Sequence, residues 1–202
     1  MYRPIRYLLL CCLPLGLFAQ VPEWQHELSV LSGVARAPEL VSGWGWCDFC
    51  PGRQGGEERG KYAMSYGIAY SYLRSAGRYA YGGGGSWQWM GGSNGLKVLG
   101  LHLTGEYRIG EGRWQPLGQL TGGIGLPFGN QHFSVHDRHP SVMVHPAVGL
   151  LLRTGRSRQK AVTTTLGYRL TRARFDTSDP FGRPLLRKLG YQRLTLTLGF
   201  RF

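Results

Sequence analysis

The sequence predicts an all-β chain, eight antiparallel strands connected up and down and closed into a barrel that crosses a membrane. Three observations predict it. Apolar and polar residues alternate with period two in segments that recur about every twenty residues, as strands with one apolar and one polar face do. The connections between them are alternately short and long. One strand carries aromatic residues at both ends of the same face with glycine between them.

Residues 1–19 read as a secretory signal removed on export, and 20–202 as one barrel domain. Arg3 and Arg6 make a positive n-region, Leu8 to Leu17 an apolar h-region, and Leu17-Phe18-Ala19 a cleavage site before Gln20. The apolar run, residues 7–19, is shorter than the ~20 residues that a helix needs to cross a bilayer. A lipoprotein signal at Cys11 or Cys12 would want small residues before it, and Leu8-Leu9-Leu10 stand there.

The first strand, about residues 24–36, is marked by Leu28, Val30 and Val34. In the second, Tyr62, Met64, Tyr66, Ile68, Tyr70 and Tyr72 oppose Ala63, Ser65, Gly67, Ala69 and Ser71. The third, residues 79–89, sets Tyr79, Tyr81, Gly83, Gly85, Trp87 and Trp89 against Ala80, Gly82, Gly84, Ser86 and Gln88. Ten residues at ~3.3 Å, tilted by ~40°, cover on the order of 25 Å, the height of an apolar band between aromatic girdles. A phosphate cradle is excluded there, because no Lys-Ser/Thr pair and no helix pattern follow the glycines. The fourth strand places Leu99, Leu101, Leu103, Tyr107 and Ile109 opposite Gly100, His102, Thr104, Glu106 and Arg108. The fifth, residues 114–128, is less regular, and the sixth, about 142–152, is weakened by Pro146, which has no ladder donor. The seventh runs through Val162, Thr164, Leu166, Tyr168 and Leu170, and the eighth covers residues 191–202. Short connections fall near 75–77, 110–113 and 154–160; long ones fall near 38–61, 91–97, 127–139 and 172–190.

With its signal, its alternating strands and the closing run Leu194-Thr195-Leu196-Thr197-Leu198-Gly199-Phe200-Arg201-Phe202, the chain resembles the small outer-membrane β-barrel proteins of Gram-negative bacteria. The resemblance covers the mature chain as architecture and is motif-specific in the last strand. It implies an outer-membrane location among lipids and lipopolysaccharide, short turns and both termini facing the periplasm, and Phe202 as the aromatic read by the barrel-assembly machinery. It brings no catalytic residue with it.

The formal charge of +13 falls to +11 without Arg3 and Arg6, and the excess lies wholly in residues 113–202, with fourteen Lys/Arg against three Asp/Glu. Export argues against nucleic acid and leaves phosphorylated glycolipid, anionic phospholipid or acidic polysaccharide as the counter-charge. Arg172, Arg174, Arg183, Arg187 and Lys188, in and beside the fourth long loop, are the candidates for binding lipopolysaccharide phosphates. An eight-stranded barrel is just wide enough for its own side chains, so Glu27, Glu106, Arg108, Arg169, Arg193 and Arg201, with His102 and His145, read as an internal charge network. A narrow small-solute or ion channel past these groups is the alternative.

The loops add four weaker features. Cys47 and Cys50 are a disulfide candidate in an exported chain, without the βαβ context of a redox motif or the further ligands of a zinc site. Trp44, Trp46 and Phe49 beside them suit either loop packing or an envelope or surface protein partner. His132, His136 and His139 are weak metal-ligand candidates. His132-Phe133-Ser134 is similar to the His-x-Ser pair of outer-membrane lipid A deacylases, but no glutamate follows Glu111, and Asp137 sits in the same loop. A lipid A hydrolase is therefore the minor alternative. The sequence as a whole predicts a monomeric barrel with a structural or surface-interaction role, no cofactor, no metal and no enzymatic activity.

Overall fold

The computed structural model describes residues 23–36, 39–43, 57–58, 62–90, 96–128, 135–154, 160–178 and 184–202. These form β1 (Glu23–Arg36), β2 (Glu39–Gly43), β3 (Glu57–Glu58), β4 (Tyr62–Ala76), β5 (Tyr79–Met90), β6 (Leu96–Arg108), β7 (Trp114–Phe128), β8 (Val135–Arg138), β9 (Ser141–Thr154), β10 (Lys160–Ser178) and β11 (Pro184–Arg201). Strands β1, β4, β5, β6, β7, β9, β10 and β11 pair in that order, and β11 pairs back onto β1 from Glu27↔Arg201 to Arg36↔Gln192. The result is a closed, antiparallel, eight-stranded barrel. Its seam runs to the last residue, where the amides of His26 and Phe202 each donate to the other's carbonyl at 3.0 Å.

The wall is taller on one side than the alternation predicts. Strands β10 and β11 stay in register through eighteen pairs, from Ala161↔Arg201 to Ser178↔Pro184. Strand β2 pairs with β11, β3 with β2, and β8 with β10. Stretches expected to be loop, within 38–61, 127–139 and 172–190, are therefore partly strand, and the last connection shrinks to residues 179–183. The physical reason is contrast. Above the hydrocarbon both faces of a strand are wet, so period-two alternation fades while the hydrogen-bond ladder continues. At the other end β4 and β5 are joined by Gly77 and Arg78 alone, with Gly77 at φ +60°, a left-handed turn conformation suited to glycine.

Burial is inverted relative to a protein folded in water. Outward residues such as Val30, Ile68, Leu101, Leu103, Leu166, Leu196 and Leu198 are exposed, while Ser29, Thr104, Gln115, Thr163 and Arg201 are buried. An exterior of this kind requires lipid, and closure leaves no unpaired edge within the membrane. Aromatic contacts line the short-turn end of the exterior, where Trp24 stacks on Tyr72 at 4.5 Å and Tyr79 meets Tyr107 at 5.1 Å. Tyr66 stacks on Trp89 at 4.6 Å toward the other end.

The glycine tract is a strand with a packing function. A Cβ on Gly82 or Gly84 would lie 1.9 Å from the backbone oxygen of Tyr72 or Tyr70, so β5 approaches β4 more closely there than a side chain permits. At Pro146 the β9–β10 ladder stops at Gly167↔Ala147 and resumes at Leu170↔Val144 without a change of register.

Candidate functional site

The chemistry-bearing side chains gather inside the barrel. Glu27 and Arg201 are register partners across the seam, and Arg201 Nε donates to Glu27 Oε2 at 2.5 Å. The rest of its guanidinium crosses the bore to β6, with NH2 to Glu106 Oε2 at 2.5 Å and NH1 to Oε1 at 3.0 Å. Strand β6 lies four positions from β11 in an eight-strand ring, directly opposite, so this fork spans the full width of the lumen. Arg108 Nε donates to Glu106 Oε1 at 2.6 Å and its NH2 to Ser75 Oγ at 3.2 Å. Two carboxylates and two guanidiniums, each at most 5% exposed, thus make a charge-neutral plug. Gly199 gives Glu27 its place, since a Cβ there would lie 3.0 Å from Oε1.

Toward the long connections the arrangement changes. Arg169 NH2 donates to His145 Nδ1 at 3.3 Å, His145 Nε2 lies 2.7 Å from Thr195 Oγ1, and Thr195 Oγ1 donates to Gly167 O at 3.2 Å. Each donor in that chain finds an acceptor only if His145 is the neutral imidazole with its hydrogen on Nε2. Gly167 admits the ring, because a Cβ there would stand 2.4 Å from Nε2. Arg193 NH2 crosses the bore to Gln88 Oε1 at 2.9 Å and reaches Thr171 Oγ1 at 3.3 Å. His102 Nε2 meets Ser71 Oγ at 2.9 Å. Between the two crossings lies a cavity of about 30 Å³, bordered by Glu27, Ser71, His102, Thr104, His145 and Arg169.

Glu27, Glu106, Arg108, Arg169, Arg193 and Arg201 therefore all face the lumen, but in two groups with separate partners. Sequence reading missed Gln88 as the acceptor for Arg193 and Glu106 as the acceptor for Arg201 across the bore. The second was available in principle, because up-and-down order sets strand n opposite strand n + 4 in an eight-strand ring.

Arg172 and Arg174 are exposed on β10, on the outward parity just beyond Leu166, Tyr168 and Leu170. They stand on the wall, not in a loop, because the β10–β11 ladder continues past them. The backbones of Arg187 and Lys188 lie on β11, with Lys188 the register partner of Arg174, while Arg183 lies outside the described residues. Phe202 is exposed at the seam and stacks near His26 and Phe200. His139 is exposed beyond β8, which holds the backbone of His136. Residues 1–19, Trp44, Trp46, Cys47, Phe49, Cys50, His132 and Ser134 lie outside the described residues. Among the described residues, no three His, Cys, Asp or Glu side chains come together as a metal site.

No family model and no curated protein matches this sequence. Solved structures do match. The outer membrane protein OprG from Pseudomonas aeruginosa is 14% identical, over 87% of this chain and 95% of that one, with a TM-score of 0.50. Neisserial surface protein A is 10% identical over 87% and 97% with a TM-score of 0.45, and AlkL, solved in DMPC bilayers, is 14% identical over 91% and 93% with a TM-score of 0.45. The fold is that of a small outer-membrane β-barrel.

Proposed function

We propose that this outer-membrane barrel is a surface-interaction protein: a membrane anchor that holds a basic patch against the phosphates of lipopolysaccharide. The observation that carries the reading is the position of Arg172 and Arg174, exposed and outward on β10 immediately beyond its apolar stripe. The ladder sets Arg174 against Lys188 and Phe175 against Arg187, so four basic residues share one short length of two strands. Like charges opposite one another on a sheet repel unless an anion lies between them, and guanidinium forks match phosphate oxygens. In this reading the short turns and both termini face the periplasm, and Phe202 is the residue that the assembly machinery engages. The plug across the bore favours an anchor over a conduit. Arg201 crosses the lumen to β6 on the opposite wall, and Arg193 spans it to β5, three strands away around the ring.

Binding of the refolded chain to vesicles containing lipopolysaccharide, against vesicles with phosphate-free lipid A, tests the proposal. Each basic residue near an anionic surface contributes about 1 kcal/mol. The double substitution Arg172→Gln and Arg174→Gln is therefore expected to weaken binding about thirtyfold and to flatten its salt dependence. Equal binding to both kinds of vesicle would refute it.

A further inference from the structure

Strands β10 and β11 set Arg169 and Arg193 directly opposite each other in register, both facing the bore, 4% and 2% exposed. Their acceptors, His145 Nδ1, Gln88 Oε1 and Thr171 Oγ1, are all neutral. Among the described residues the carboxylates inside the barrel are taken up by Arg108 and Arg201, and none pairs with Arg169 or Arg193. The Nε–H groups of both arginines are buried without an acceptor, and His102 Nδ1 and Thr165 Oγ1 are likewise unpartnered.

Two guanidiniums side by side in a membrane-embedded interior are unstable as they stand. Guanidinium does not shed its proton in proteins, and a buried charge left without a counter-charge is strongly destabilising. Among the described residues no counter-charge stands beside them, which leaves an ion from solution as the partner. The cavity of about 30 Å³ beside Arg169 gives it room. That volume accommodates a species the size of one or two waters and nothing larger. Glu27 also borders the cavity, but its carboxylate is engaged by Arg201.

We propose that the lumen holds one small inorganic anion, of halide size, on the loop side of the ion plug. Arg169 is its principal donor, and His102 and the hydroxyl of Ser71 or Thr104 complete the shell; Arg193, the register partner of Arg169, does not line the cavity and adds its positive charge from beside it. The site differs from the outer patch in both ligand and address: it takes a single-atom anion from solution, whereas the patch takes lipid phosphate.

The test uses the full mature chain, refolded in detergent and exchanged into sodium gluconate, then titrated with sodium chloride at constant ionic strength. The Nε–H resonances of the buried arginines are followed by NMR. The two that disappear on Arg169→Lys and Arg193→Lys substitution are expected to shift saturably with half-saturation at millimolar chloride, and the Arg108 and Arg201 signals to stay still. Arg169→Gln, if its heat-dependent gel shift shows a closed barrel, is expected to lose the chloride response, and Arg193→Gln to weaken it about tenfold. Absence of a saturable response in the unmodified chain would mean that only water fills the cavity and would overturn the proposal, even if no variant folds. A response undiminished in Arg169→Gln would overturn it as well.

Discussion

The two halves of the lumen treat positive charge differently. At the short-turn end, Arg108 and Arg201 share Glu27 and Glu106 in a closed set of ion pairs. Toward the loops, Arg169 and Arg193 are as deeply buried and have only neutral acceptors. The comparison shows that burial of an arginine does not by itself indicate a structural ion pair. The first half is complete as it stands, and the second is poised for something added.

Breaking the first half should have the largest effect. Glu106→Gln leaves two buried guanidiniums competing for Glu27 and is expected to destabilise the barrel by about 3–5 kcal/mol, read from the denaturant midpoint in lipid. Glu27→Gln should cost less, about 1–3 kcal/mol, since Arg201 keeps both bonds to Glu106. If the two variants are equally harmful, the fork across the bore is not the member that matters. Arg193→Met sharpens the contrast by sign. In chloride-free gluconate, removing an uncompensated charge is expected to leave stability unchanged or raise it by up to about 1–4 kcal/mol, whereas Arg201→Met should lower it. Gly84→Ala should also destabilise, by about 1–3 kcal/mol of overpacking or more, because the added methyl meets the Tyr70 carbonyl oxygen, a backbone atom that cannot swing aside. Thermal unfolding of the same preparation reads it, and a loss confined to β4–β5 would show as faster amide exchange in that hairpin.

The fold was legible because lipid outside and polar groups inside impose a strict period of two. Parity alone put Glu106 and Arg108 on one face and Leu103 and Tyr107 on the other. What parity could not supply was who meets whom. Gln88 looks like any polar residue in its strand, and only the geometry of the closed ring brings it to Arg193. The wall above the membrane was illegible for a related reason. Around Arg172, Arg174, Arg187 and Lys188 the apolar–polar alternation fades, so the sequence reads as loop while the backbone continues as ladder.

That ladder has a mechanical consequence for the cell surface. From Arg172 to Ser178 strand β10 continues, paired, for on the order of 15–20 Å beyond its apolar stripe. On this side the described wall continues upward as paired strands. A pull along either strand would load that row of hydrogen bonds in shear, and β11, which also pairs with β1, would carry the load to the closure of the barrel.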